Sequence, residues 1–589
     1  MKLSQKQAFW LLLLLCIITL LPFLCLFDYN TKGEPRESIV SYSILETGNW
    51  ILSRNNGGEM AYKPPFFHWC VAAVSYLWGS VTEATSRFPS MVALTALIMS
   101  GFCFFARRRD VRTSLMAAVI CLTCFELHRA GMNCRVDMVL TALTCGALYM
   151  LYRWYEQGQR GIPLIAILLM SAGTMTKGPV GTLIPCICMG AFLLMKRQNF
   201  FRAFFTMIGF SLLAFILPAF WYYAAWQQGG QEFLDLMLEE NIGRMTNTMS
   251  YDSCVEPWYF PFITLVYGFL PFTLLLLFSL CSLRGIGVSK GLKDLKVFKG
   301  IKAFSQSEVS MLRLKDLKVF KGIKDVDLFS LVCAVVIVVF YCIPQSKRSV
   351  YLMPAYPFIA FFIARFMTWL ADTKKKSLNV YGWVLFFISV TLLAITAALK
   401  MNLVPETIFS GSHAEENIRM LHNLEDINGI IVWASVTAVF ISCCYWARHH
   451  NNNTLTASLF LVVALNIGLD GAWKPAALNA KSQKPLAAEI DQYAPESEGR
   501  LYEYIEGSVM ALGDPVHFFE INFYLKHPNR IGNFYKERPQ SGFLLIQQEE
   551  YLRHEKEFAG WGYELQPIHQ TDRKIWGQHL CIIKFNKEN

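Results

Sequence analysis

The stretch Phe66-Phe67-His68-Trp69-Cys70-Val71-Ala72-Ala73-Val74-Ser75-Tyr76-Leu77-Trp78-Gly79-Ser80-Val81-Thr82 decides how this chain is threaded. Its 17 residues stand at the short limit for a bilayer-crossing helix, which needs about 20. Phe66, Phe67, Trp69, Tyr76 and Trp78 give it the aromatic content of a helix lying in the membrane interface. If it crosses, Arg107, Arg108 and Arg109 emerge outside and every later basic cluster is inverted. If it lies on the outer surface, and Lys2 and Lys6 keep the N-terminus in the cytoplasm, the clusters at 107–112, 153–160, 196–202, 284–326, 374–376 and 448–450 all fall inside. The excess of Lys and Arg on cytoplasmic loops selects the second threading. Residues 27–87 are then an outer loop with interfacial helices.

Outward from that stretch the chain is mostly lipid-soluble. Of 589 residues, 54% are hydrophobic and only 17% charged, and the mean hydropathy is +0.34, a composition that excludes an ordinary soluble enzyme. The apolar run from Ala8 to Leu26 is long and lacks a small-residue cleavage pattern, so it reads as a retained span and not a signal peptide. The net charge of +10 resides in short clusters between spans, which orientation in the membrane explains and nucleic-acid binding does not. The 17 cysteines fall mostly inside apolar segments with no zinc-type spacing. The spans expected are 8–26, 88–106, 112–128, 138–155, 162–176, 179–196, 203–226, 257–283, 327–344, 351–371, 378–400, 427–447 and 454–473, about thirteen in all. They make residues 1–473 an α-helical polytopic membrane domain and leave 474–589 outside. Strand-like runs such as Gly542 to Gln547 and Leu580 to Phe585 make that tail a small exported α/β domain. The 11-mer LKDLKVFKGIK occurs twice, at 292–302 and 314–324. Both copies lie in the basic cytoplasmic loop and read as amphipathic helices on anionic headgroups, or as a docking element for a partner.

On this threading the polar motifs gather on the outer face. Gly33-Glu34-Pro35-Arg36-Glu37 leads into a short helix expected over Arg36 to Thr47, with Pro35 at its start, Glu34 as its cap and Gly48 at its end. Lys63, before Pro64 and Pro65, stands at headgroup depth, where it suits a lipid-linked phosphate or simply snorkels. Asn133-Cys134-Arg135-Val136-Asp137 puts a carboxylate at the mouth of a span, as a working acid or as a helix cap with Arg135 anchoring at headgroups. Lys177 rides on the turn Thr176-Lys177-Gly178-Pro179. Glu239-Glu240-Asn241-Ile242-Gly243-Arg244 offers a guanidinium fork for phosphate, or a plain Glu240 to Arg244 pair along a helix. Lys347 and Arg348 break the positive-inside pattern in a short outer loop, which anion binding explains. Each motif alone has a bland reading. Together they place at least five cations and two carboxylates on one face.

In order, GEPRE, AYKPP, SRFPS (86–90), CRVDM, TKGPVG, EENIGR and SKRSVYLMP resemble the family 39, GT-C type integral-membrane glycosyltransferases. The likeness is closest to the bacterial aminoarabinose lipid A transferases and more distant to protein O-mannosyltransferases. It covers residues 1 to about 475 in register and extends loosely over the tail. It implies a GT-C fold in a bacterial inner membrane, with the active site and tail periplasmic. A polyprenyl-phosphate-linked sugar is the implied donor, with inverting transfer to lipid A, another envelope glycan or a protein. The family's Asp-Glu-x-Arg falls on Gly33, Glu34, Pro35 and Arg36, so its first acid is glycine here, and Glu-Lys-Pro-Pro becomes Tyr62-Lys63-Pro64-Pro65. The resemblance assigns carboxylate chemistry to Glu34 and Asp137, with Glu37 as a neighbour able to share it. It gives the donor phosphate to Arg36, Lys63, Arg244 and Tyr351, and Lys177, Lys347 and Glu240 are secondary. Expected histidines are Glu239 and Asn241, so no metal site or other cofactor is assigned.

Three other classes compete. A lipid-sugar transporter wants charges at midplane or on both faces, a sugar-nucleotide enzyme wants its site in the cytosol, and a non-catalytic relative would explain Gly33, Tyr62 and Asn241.

Overall fold

The computed structural model describes residues 3–31, 33–61, 63–243, 255–284, 323–373, 376–411, 413–505, 517–575 and 577–587. The N-terminal helices that build the site are α1 (Gln5–Leu20), α2 (Gly33–Thr47), α3 (Phe66–Trp78), α4 (Glu83–Ala106), α5 (Val111–Thr123), α6 (Phe125–Gly131), α7 (Val136–Glu156), α8 (Leu164–Lys177), α9 (Val180–Met195) and α10 (Phe200–Leu238). Further helices at Asp325–Cys342, Tyr356–Asp372, Lys376–Lys400, Ile430–His449 and Thr454–Gly468 complete the bundle. One continuous apolar core runs through it, with Phe104, Phe105, Tyr149, Phe329 and Phe361 among its stacked and edge-on rings.

All thirteen expected segments are helical where described, but length and apolar composition support a smaller number of crossings. Among the described residues eight helices qualify as spans, or up to ten if each of two bent pairs is one span. The bends fall between α5 and α6 (64°) and between Phe260–Gly268 and the helix from Phe272 (104°). The helices α8 and α9, of 14 and 16 residues, are shorter than a crossing needs at 1.5 Å per residue. The two copies of the 11-mer lie outside the described residues, except for Ile323 and Lys324.

The deciding stretch forms the 13-residue α3, closed by Gly79 in the left-handed region (φ +96°). Such a helix extends about 20 Å, well short of a hydrocarbon core of about 30 Å. Phe67, His68, Val71, Ala72 and Ser75 form its buried face, and Tyr76, Leu77 and Trp78 at its end are exposed.

The turn between α8 and α9 is fixed by a close crossing of their backbones. A Cβ on Gly181 would lie 2.2 Å from the Gly173 carbonyl carbon, and Thr174 and Thr182 share a hydroxyl hydrogen bond of 2.7 Å. Small residues allow this approach. The contact holds Lys177 at the last position of α8, before Gly178 at φ +86°.

The tail builds a five-stranded mixed sheet, in order β2-β1-β3-β5-β4. Its strands are β1 (Leu501–Glu503), β2 (Gly532–Asn533), β3 (Ser541–Gln547), β4 (Tyr563–Ile575) and β5 (Gln578–Lys587). β1 pairs in parallel with β2 and β3, and β5 runs antiparallel to β3 and β4. Apolar side chains cover both faces, Leu501, Phe543 and Leu545 on one, Tyr502, Leu544 and Phe585 on the other. The sheet is tied to α2 through Tyr29, Ile39, Phe519 and Phe523, which form one buried cluster.

Candidate active site

The helix α2 starts at Gly33, three residues earlier than a helix opening at Arg36, so Glu34 lies inside its first turn and does not cap it. The Glu34 side chain is fully buried, with the equally buried Arg87 of α4 as its partner. Arg87 Nε donates to Glu34 Oε1 at 2.9 Å and Nη2 donates to Oε2 at 3.4 Å, and the Cys134 amide donates to Oε1 at 3.0 Å. The same guanidinium donates to the carbonyls of Leu24, Phe27 and Asp28. Glu34 is thus saturated by protein donors and corrects the expectation that it works on substrate. Its pair ties the end of α1, α2, α4 and the start of α7 into one joint. Breaking a buried pair by removing one partner costs about 3–5 kcal/mol.

The second carboxylate is Glu37, one turn further along α2 and also buried. It forms ion pairs with Lys63, with Arg36 at 2.9 Å and with His68 of α3 at 2.8 Å. Burial alone would raise its pKa, but the Lys63 and Arg36 cations and the His68 hydrogen bond outweigh burial and hold it well below the ordinary value of 4.5. Lys63 is pushed down to about 8, chiefly by burial, with Arg36 adding to the effect and Glu37 opposing it.

Beside this group, Asp137 in the first turn of α7 is paired with Lys177, which comes from the end of α8. The Lys177 ammonium stands 4.1 Å from the centre of the Tyr351 ring. Lys63 and Asp137 are close enough for their charges to act on each other. Five separate segments therefore deliver Arg36, Glu37, Lys63, Asp137, Lys177 and Tyr351 to one end of the bundle.

The other expected members divide. Lys347 is only 6% exposed and donates to the carbonyls of Glu256 at 2.7 Å and Gln345 at 3.5 Å. Its ammonium holds the bridge between Val255 and Ser346 together, which corrects the expectation that it binds an anion. Glu239 and Glu240 lie in a wide helical turn that ends at Gly243, and Arg244 lies outside the described residues. Among the described residues no three His, Cys, Asp or Glu side chains converge as metal ligands. The sequence reading missed His68, absorbed there into an aromatic run, and the strut role of Arg87. A titratable side chain enclosed within each largely apolar helix, His68 in α3 and Arg87 in α4, was the available signal, because a buried polar group must have a partner.

The chain is similar to membrane glycosyltransferases of the GT-C type. Residues 62–223, from the loop of Lys63 into α10, match the family described as Dolichyl-phosphate-mannose-protein mannosyltransferase. Within the class, the chain is similar to the aminoarabinose transferases. It is 22% identical over 399 residues to the undecaprenyl phosphate-alpha-4-amino-4-deoxy-L-arabinose arabinosyl transferase of an Enterobacter species, covering 64% of this chain and 63% of that protein. An uncharacterized protein of Aquifex aeolicus is 24% identical over 400 residues, covering 66% of this chain and 71% of that protein. The crystal structure of ArnT from Cupriavidus metallidurans bound to undecaprenyl phosphate superposes with a TM-score of 0.67 over 98% of this chain and 97% of that one, at 15% identity.

Proposed function

We propose that this protein transfers a sugar from a polyprenyl-phosphate-linked donor to a lipid A-type or other envelope glycan, with inversion, on the periplasmic side of a bacterial inner membrane. The observation that carries the reading is the convergence of Arg36, Glu37 and Lys63 with Asp137, Lys177 and Tyr351 at one end of the bundle. When the anomeric carbon is attacked, negative charge grows on the departing polyprenyl phosphate, and preorganised cations in a dry site stabilise that growth. Lys63 and Arg36 take this role, with Arg244 and Tyr351 as further donor-phosphate contacts. Glu37 orients both cations. Three partners, Lys63, Arg36 and His68, hold Glu37, whereas Asp137 is paired with Lys177, so Asp137 is the group that stabilises the positively charged sugar and takes the acceptor's proton where the acceptor is a hydroxyl.

The matched family, of protein mannosyltransferases, favours a second reading, a protein acceptor used with the same donor class. One assay addresses both. Purified full chain in proteoliposomes is supplied with radiolabelled undecaprenyl-phosphate sugar and, in parallel, an envelope lipid and glycan fraction or a protein fraction. Label should move into the lipid and glycan fraction. Asp137→Asn should reduce transfer by about 100-fold or more and leave undecaprenyl phosphate binding intact. Full transfer by Asp137→Asn would remove Asp137 from the mechanism.

A further inference from the structure

The end of the bundle away from the candidate site holds a second cluster of charge, which the proposed reaction does not use. The helix α4 carries Arg87 near its start, in the joint with Glu34. Its 24 residues extend about 36 Å, more than a hydrocarbon core of about 30 Å. The turn beyond it and the start of α5 carry Arg107, Arg108, Arg109 and Arg112. A cavity of about 370 Å³ opens there between α5 and the helix Tyr356–Asp372, with Arg109, Arg112 and Arg365 in its wall beside Phe361 and Trp369. That volume lies within the range of small-ligand sites, about 300–1,000 Å³.

The three guanidinium groups are only partly engaged by protein acceptors. The buried Asp327 serves two of them. Arg109 donates from Nε to Oδ1 at 2.9 Å and from Nη2 to Oδ2, and Arg365 donates from Nη1 to Oδ2 at 2.9 Å. Among the described residues this is the single hydrogen bond of the Arg365 side chain, so the rest of its fork is available to another acceptor. Arg112 pairs with Asp372 at 2.7 Å, with side chains 54% and 63% exposed. Such surface pairs contribute about 0–1 kcal/mol, so Arg112 can turn to a different anion at little cost. The remaining carboxylate of the wall, Asp110, caps α5 by accepting from the Thr113 amide at 2.7 Å.

The aromatic part of the wall selects the source of that anion. The Arg365 guanidinium stands 5.8 Å from the centre of the Phe361 ring, and Trp369 stacks on Phe366 with ring centres 5.9 Å apart. Trp369 and Phe366 are both half-buried. Tryptophan is enriched at membrane–water interfaces, so the arginines stand at headgroup depth, where a soluble ion would need no such rim. We propose that this cavity binds the phosphodiester headgroup of an anionic glycerophospholipid. Arg365 and Arg112 grip the phosphate as planar forks, and Trp369 lies against the glycerol backbone. Basic pockets between transmembrane helices take anionic headgroups in this way. The bound lipid then ties the start of α5 to the end of the helix Tyr356–Asp372.

The test is calorimetric titration of the full-length protein in non-ionic detergent with three probes: dioctanoyl phosphatidylglycerol, dioctanoyl phosphatidylcholine and free glycerol phosphate. Phosphatidylcholine has the same phosphodiester but adds a cation that the arginines repel. Wild type should bind phosphatidylglycerol about tenfold or more tighter than either other probe. Arg112→Gln with Arg365→Gln leaves the Arg109–Asp327 pair in place and should bring that preference to within about twofold. A melting curve in lipid-free detergent reports whether this variant folds. Where it does not, Arg112→Gln alone decides, since it changes one exposed side chain and should lower the preference about threefold. Arg107→Gln removes the same charge from an exposed residue outside the cavity wall and should change nothing. Equal affinity of wild type for the two lipids overturns the proposal, and so does wild-type preference in the arginine variants. Arg107→Gln lowering the preference as far as Arg112→Gln also overturns it, because the attraction would then come from the basic end as a whole. Glycerol phosphate binding as tightly as phosphatidylglycerol would make the ligand a soluble phosphate and end the lipid assignment.

Discussion

Lys63 and Glu37 show how a site keeps opposite charges productive where solvent is scarce. Neither would hold its charge at this depth alone, since burial raises the carboxyl pKa and lowers the ammonium pKa. Glu37 is rescued by two cations and a histidine, so it remains anionic well below 4.5. Lys63 is rescued less completely and titrates at about 8. The ammonium is present below that pH and lost above it. Affinity of the free enzyme for undecaprenyl phosphate should therefore be level from about pH 5 to 7 and fall as pH rises through about 8. A bound phosphate favours the charged lysine, so the corresponding limb in kcat should lie at higher pH than in kcat/KM. Binding measured from pH 5 to 10 checks this, and a level profile to pH 10 would show that Lys63 does not grip the phosphate as a cation.

At the scale of elements, the loop between α2 and α3 is held by the tail through a buried polar knot. Asn56, fully buried, donates to Glu503 of β1 at 2.6 Å and accepts from Asn522. Glu503 also accepts from the Phe518 amide at 2.9 Å and pairs with His517, whose other nitrogen stands 3.6 Å from Glu59. Glu59 in turn pairs with Lys536. Burial would lower the His517 pKa, but Glu503 and Glu59 outweigh it and raise it from 6.5 to about 9. A group whose pKa rises on folding stabilises fully below its unfolded value and loses that contribution as pH climbs through the folded one. Wild type should thus lose a part of its thermal stability between pH 6.5 and 9 that His517→Gln, already less stable at pH 6.5, does not lose. Paired melting curves in one detergent at both pH values check this. The difference between the two proteins removes the contribution of Lys63, which titrates in the same range. Parallel slopes would exclude His517 from the latch.

For the whole molecule, hydropathy and the positive-inside pattern were enough to read a polytopic helical protein from the sequence, because lipid forces backbone polarity into helices. They give about thirteen crossings where eight to ten among the described residues are long and apolar enough to cross, since composition does not reveal that α8 and α9 are short or that two expected spans bend. The site was legible as an ordered set of motifs. What each carboxylate does was not, because Glu34 and Glu37 differ in which partner reaches them from α4 and from the 63–68 segment, a matter of packing. The largest feature hidden from the sequence is that the tail is built into the end that carries the candidate site. Asn479 accepts from the Asp28 amide at 2.9 Å, the Tyr524 hydroxyl accepts from the Tyr29 amide at 2.8 Å, and Phe519 and Phe523 bury Tyr29 and Ile39 against α2. Uncovering such side chains costs about 1.5–3 kcal/mol each, and α2 carries Arg36 and Glu37. A chain ending at Trp473 should therefore still insert in the membrane but bind undecaprenyl phosphate at least about tenfold more weakly. Phe519→Ala with Phe523→Ala in the full chain should lose affinity in the same direction. Affinity equal to wild type in both proteins would mean that α2 holds its position without the sheet, leaving the tail to act on the acceptor alone.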